Sequence, residues 1–164
     1  MYMERDLNNI EMVERPKAIA VSYTAKSIRP CIINGEELII KTHSHRHTYN
    51  TEKNAYIKLQ NENFLPKLVY FDDKTLKLCI TDVGDALPTI KNIKLKDYEK
   101  QLVNIINIMH DKYNLFHNDL RPKNICIDKN NNIKLIDFDC ASGEEKENRY
   151  IFRDRWHDFP SFYF

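Results

Sequence analysis

The stretch His117-Asn118-Asp119-Leu120-Arg121-Pro122-Lys123-Asn124, followed by Asp137-Phe138-Asp139, organises the reading of this 164-residue chain. The first part is a polar loop between two apolar segments, Leu115-Phe116 before it and Ile125-Cys126-Ile127 after it. Asp119 and Asn124 stand five residues apart in the loop, and Asp137 lies thirteen beyond Asn124. Lys129-Asn130-Asn131-Asn132 reads as a turn, and Ile133 to Ile136 as a short strand that ends at Asp137. A hairpin of this length returns the strand end to the side of the loop, so that three oxygen-bearing side chains converge. Single Asp and Asn residues are common in turns. The joint pattern with His117, Leu120, Phe138 and two flanking apolar strands is what argues against chance.

Working outward, Leu95 to Tyr113 carries Tyr98, Leu102, Ile105, Ile106, Met109 and Tyr113 at spacings of three and four, which predicts a helix capped by Asn114. Upstream, Lys17–Ala25, Ser27–Ile33 and Glu36–Lys41 read as strands. Asn34-Gly35 joins the last two, because a tight hairpin needs positive φ at both central residues. Thr51–Leu59 reads as a helix with Ala55, Tyr56 and Leu59 on one side. Leu68–Phe71, the turn Asp72-Asp73-Lys74 and Leu76–Ile80 form a second hairpin, and Gly84 and Pro88 mark a loop. Residues 1–15 are polar and unpatterned, so a weakly packed terminus is expected. His43, His45 and His47 alternate as imidazole metal ligands could, but their setting predicts an exposed loop. Lys91, Lys94 and Lys96 read as a solvated face. The aromatic tail Trp156, Phe159, Phe162, Tyr163 and Phe164 is expected to pack against the body.

The length suits one domain, or two small lobes sharing a cleft. Lys plus Arg total 25 against 24 for Asp plus Glu, which gives no electrostatic case for a nucleic-acid or membrane partner. No apolar run of about 18 residues predicts a membrane span, and residues 1–15 carry no apolar stretch of the secretory-signal kind. Cys31, Cys79, Cys126 and Cys140 form no C-x-x-C pair, so reduced thiols in a cytoplasmic setting are expected.

Phosphoryl transfer asks for a carboxylate that orients the attacking hydroxyl, oxygen ligands for Mg²⁺ and a cation on the nucleotide phosphates. Asp119, Asn124 and Asp137 match the first two demands. The segment resembles the catalytic loop and metal-binding loop of the protein-kinase superfamily, H-R-D-L-x-x-x-N and D-F-G. Pro122, and His110 seven residues before His117, also fit. The resemblance implies Asp119 as catalytic base, Asn124 and Asp137 as metal ligands, and His117 as a structural support. Arg121 stands where Ser/Thr kinases carry a Lys that reaches the transferred phosphate. More weakly, Glu37–Lys41 resembles the strand that ends in the nucleotide-binding lysine, here Lys41. Its ion-pair partner would be Glu52, eleven residues on, with Glu62 as the spare. Leu78 to Gly84 resembles the strand and hinge that contact adenine, with Ile80, Asp82 and Val83 as contacts and Cys126 as the pocket floor. The resemblance covers about residues 17–142 and is specific over 110–139.

The implied fold is α+β and two-lobed. An antiparallel sheet with one helix spans about residues 16–84, and a truncated, mainly helical lobe spans about 85–164. Three departures stand out. Tyr23-Thr24-Ala25-Lys26 occupies the place of a Gly-rich loop, Asp139 replaces the Gly of D-F-G, and no A-P-E segment appears in the 27 residues after Asp137. The implied function is an ATP- and Mg²⁺-dependent Ser/Thr-type protein kinase acting on a protein hydroxyl, with a partner protein possible in place of the missing helices. A small-molecule kinase of the choline-kinase or aminoglycoside-phosphotransferase kind, and a non-catalytic kinase mimic, are the alternatives.

Overall fold

In the computed structural model the described residues are 2–17, 25–87 and 98–146. The expected strand over 17–25, the lysines at 91, 94 and 96, and the aromatic tail therefore lie largely or wholly outside the described residues. So do Tyr23 and Thr24.

Asn34 and Gly35 both take positive φ, 51° and 78°, and turn β3 (Ala25–Ile33) into β4 (Glu36–His43). A second hairpin pairs β5 (Leu68–Asp72) with β6 (Lys77–Thr81), and its turn is stabilised by Asp72 Oδ1, which accepts from the amides of Lys74 and Thr75. Strand β4 then pairs antiparallel with β6, setting Lys41 opposite Leu78 and Ile39 opposite Ile80. Side chains alternate between the two faces of a strand. Leu38, Ile40 and Cys79 accordingly join one apolar cluster on the outer face, while Leu78 and Ile80 join the main core on the other.

Helix α1 (Arg46–Lys58) covers that inner face and buries Tyr49, Glu52, Ala55 and Tyr56. It begins five residues before the predicted start. His45 caps it in an extended conformation without a side-chain cap bond, so the usual start signal is missing from the sequence. The histidines divide accordingly. His45 and His47 are exposed, as expected, but β4 runs on to His43, which is only 2% exposed. The exposed-loop reading of His43 is thus corrected.

The N-terminal residues are also better placed than expected. Strand β1 (Met3–Glu4) pairs parallel with β5, and β2 (Val13–Glu14) pairs antiparallel with β3, so the sheet order is β1-β5-β6-β4-β3-β2. Residues 5–12 therefore run from one sheet edge to the other, and Leu7 inserts among Cys31, Ile33, Leu38, Ile40 and Cys79. Leu7, Ile10 and Met12 have no strand or helix period because they pack as a strap rather than as an element. Leu7→Ala is expected to cost about 2–5 kcal/mol, the usual range for truncating a buried leucine, read as a lower urea midpoint at unchanged slope. A midpoint equal to the wild type's would mean that the strap contributes nothing to the fold.

Past β6, residues 82–84 lead to a three-stranded antiparallel sheet of β7 (Asp85–Ala86), β8 (Ile125–Ile127) and β9 (Ile133–Leu135). Helix α2 (Glu99–Asn107) continues through a π-helical turn at Ile108–Lys112 and stops at Asn114, whose φ of 47° suits a C-terminal cap. Leu102, Ile105, Ile106 and Met109 face the core, as the spacing predicts. The fold is α+β. Among the described residues, the second half is mainly helical, with the short strands β7, β8 and β9 beside the helix.

Candidate active site

The inner face of β4 delivers Lys41, which is 5% exposed, and α1 delivers Glu52, which is fully buried. Lys41 Nζ lies 2.7 Å from Glu52 Oε2 and 2.6 Å from Asp137 Oδ1. Burial works to lower the lysine pKa, but the two carboxylates outweigh it and hold the ammonium charged. Burial likewise opposes ionisation of Glu52, and Lys41 and His43 overcome it, so its pKa falls well below the carboxylate range. Tyr56 donates to Glu52 Oε1 at 3.1 Å. The spare candidate Glu62 is elsewhere, accepting from Lys112 and from the Tyr113 hydroxyl. The eleven-residue spacing suffices because only Ser44 and His45 separate β4 from α1.

Asp119 sits in the loop after α2, 6% exposed. Its Oδ1 accepts from Arg121 Nε at 2.6 Å, and its Oδ2 from Asn124 Nδ2 at 3.1 Å. Asn124 Nδ2 also donates to the Asp119 carbonyl at 2.8 Å, in a 3₁₀ turn started by Pro122. With its nitrogen spent on Asp119, the Asn124 amide presents its oxygen the other way. The loop is braced from behind by His117. The Asp119 amide donates to Nδ1 at 3.2 Å, so Nε2 carries the proton and donates to the Ile136 carbonyl at 2.9 Å. Burial lowers the His117 pKa and favours this neutral tautomer.

The Phe138 ring lies between Tyr56, at 5.7 Å, and His117, at 4.6 Å. Asp137 has a φ of 64°, sparsely populated for an L-residue, a strain concentrated at the loop that carries its carboxylate. Asp119, Asp139 and Cys140 each bring one potential ligand atom within 4.8 Å of the others. Asn118, itself at φ 63°, ties the following segment to the loop through the Cys140 and Glu144 carbonyls and the Ser142 hydroxyl.

A family model described as a protein kinase domain matches residues 24–157. The chain belongs to that family. Serine/threonine-protein kinase CHK1 of Saccharomyces cerevisiae is 49% identical over 45 residues, which cover 27% of this chain and 8% of that protein. Serine/threonine-protein kinase PKH2 of Candida albicans is 29% identical over 145 residues, 77% of this chain and 15% of that protein. The eIF-2-alpha kinase GCN2 of Schizosaccharomyces pombe is 27% identical over 163 residues, 98% of this chain and 9% of that protein. The chain spans less than a sixth of the length of each of these relatives.

In this kinase domain a single cleft gathers most of the residues singled out in the sequence. Lys41, Glu52, Asn124 and Asp137 line it, together with the apolar Ile80, Val83 and Cys126. Cys126 is buried there, which pushes its thiol pKa up to about 12 and leaves it an inert wall. Asp119 and Arg121 join the cleft through Asn124. Asp82 also lines it, but its carboxylate is committed to Arg15 and Lys17, each at 2.5 Å, and to the Gly84 amide. Burial opposes the charge on Asp82, and these donors more than offset it, lowering its pKa. The sequence reading passed over four residues of the site. Lys17 and Lys123 line the cleft, and Tyr56 and His43 contact Glu52. His43 and Tyr56 were detectable, two residues after Lys41 on a strand and four after Glu52 on a helix. Lys17, tied to Asp82 65 residues away, carried no local signal.

Proposed function

We propose that this kinase domain is an ATP- and Mg²⁺-dependent phosphotransferase that modifies a serine or threonine hydroxyl of a protein substrate. The observation that carries the reading is Lys41 Nζ within 2.7 Å of both Glu52 and Asp137, which joins the cation for phosphates to the metal-binding carboxylate. The donor set fits the metal: the Asn124 amide oxygen and the Asp137 carboxylate are hard oxygen ligands, few enough to leave room for phosphate oxygens and water. When bound, Mg-ATP supplies the phosphoryl group and the metal neutralises the charge that develops on it. The chain's own residues do the rest. Lys41 holds the phosphates, Ile80, Val83 and Cys126 enclose the base, and Asp119 orients the acceptor hydroxyl and takes its proton. Arg121 aligns the Asp119 carboxylate and adds a cation beside the transferred charge. Buried Asp139, next to Asp119, favours a second reading in which the acceptor is a small-molecule alcohol.

Mg-ATP at a hundred times its dissociation constant is expected to stabilise the wild type by about 2.7 kcal/mol, read as a raised melting temperature. Asp137→Ala should remove the magnesium-dependent part of that shift. A wild type that responds to neither ATP nor Mg-ATP would defeat the proposal. Labelled γ-phosphate appearing on a small alcohol but on no protein would decide for the second reading.

A further inference from the structure

His43 follows Lys41 by two residues on β4, so both side chains leave the same face of the strand. Its Nε2 lies 2.8 Å from Glu52 Oε2, the same oxygen that Lys41 reaches at 2.7 Å. The contact has ion-pair distance without the alignment of a good hydrogen bond. The imidazole is held edge-on by Tyr49, with ring centroids 5.9 Å apart at 75°, and the Tyr49 hydroxyl is anchored to Asp73 at 2.7 Å. A carboxylate oxygen only accepts, so the nitrogen facing it carries a proton.

Charge counting shows why a second donor matters. Lys41 is one cation shared between two buried carboxylates, Glu52 and Asp137. A carboxylate left unpaired in the interior is costly. Without another donor, any shift of Lys41 toward Asp137 or toward a bound anion would leave Glu52 Oε2 alone. We propose that His43 is a positioning residue for phosphoryl transfer: it secures Glu52 independently of Lys41, so that the lysine can engage phosphate while Glu52 keeps its place. The proposal rests on Lys41 being the phosphate-binding lysine. His43 touches neither nucleotide nor acceptor in this scheme and acts only through Glu52.

The test compares His43→Leu, which has no donor, with His43→Gln, whose amide places an N–H near the position of Nε2. His43→Leu is expected to lower kcat about tenfold, the low end of the cost of taking a polar partner from a buried acceptor, with little change in KM for the acceptor. His43→Gln should recover most of that loss. If Leu prevents folding, His43→Asn, too short to reach Glu52, takes its place. Equal kcat in the donor and donor-free variants would overturn the proposal, because a packing role alone does not distinguish them. A second readout does not depend on turnover. The ¹⁵N imidazole signals of His43 in the wild type should report an Nε2-bound proton that responds to Glu52→Gln. An unresponsive His43 signal overturns the proposal even in an active enzyme. A responsive signal in a wild type without phosphotransfer supports the contact while the phosphotransferase reading fails.

Discussion

Asp119→Asn is expected to lower kcat for phosphoryl transfer by about 10²–10⁴-fold, the span usual for removing a general base, with Mg-ATP binding retained. The two effects separate because the loop does not rely on the Asp119 charge for its shape. The Asp119 amide is bound to His117 Nδ1, its carbonyl receives Asn124 Nδ2, and His117 is fixed to the Ile136 carbonyl. An asparagine of nearly the same size keeps these backbone contacts, so Asn124 keeps the orientation that the proposed metal site requires. What it loses is the acceptor for a hydroxyl proton and the charge that aligns Arg121. The measurement is a steady-state comparison of kcat and nucleotide KM, beside a thermal shift with Mg-ATP. Wild-type turnover in the variant would remove Asp119 from the role of base. A lost thermal shift would instead reassign Asp119 to holding Asn124.

Legibility in the sequence followed how far each signal lies from its partner. The loop 117–124 and the carboxylate at 137 could be read because their residue types and spacing resemble the catalytic and metal-binding loops of protein kinases. The hairpins could be read because Asn34-Gly35 and Asp72-Asp73 turn the chain locally. Lys41 with Glu52 was legible through strand and helix order, although α1 starts at Arg46 without a capping side chain. Contacts that depend on tertiary placement could not be read. Leu7 fills an apolar face built from β3, β4 and β6, and Arg15 and Lys17 clasp Asp82 from some 65 residues away. Nothing local in a polar terminus announces such partners. His43 fell between the cases. The alternation at 43, 45 and 47 was visible, but whether the strand ended at Lys41 or at His43 decided whether one of the three was buried.

Gly84→Ala is expected to destabilise the fold by roughly 2–6 kcal/mol, the sum of a strained backbone region and an overpacked contact. Gly84 has a φ of +115°, and a methyl built on it would meet the Ile127 carbonyl oxygen at 2.2 Å and its carbon at 2.8 Å. Both obstacles are backbone, so no rotamer change relieves them. Ile127 also pairs with Asp85, so shifting it would break the register of β7 on β8. Shifting Gly84 instead would loosen its amide from Asp82 and its carbonyl from Lys17, and with them the segment that joins the two sheets beside the cleft. Gly35→Ala supplies the control. Its φ is also positive, at +78°, but nothing lies within 4 Å of the added methyl, so only the backbone cost of about 1–2 kcal/mol remains. Urea denaturation of both variants separates the two effects. Equal losses would show that conformation alone governs Gly84. A markedly larger loss at 84, accompanied by weaker Mg-ATP binding, would show that the close approach of this glycine to β8 holds the cleft at its working width.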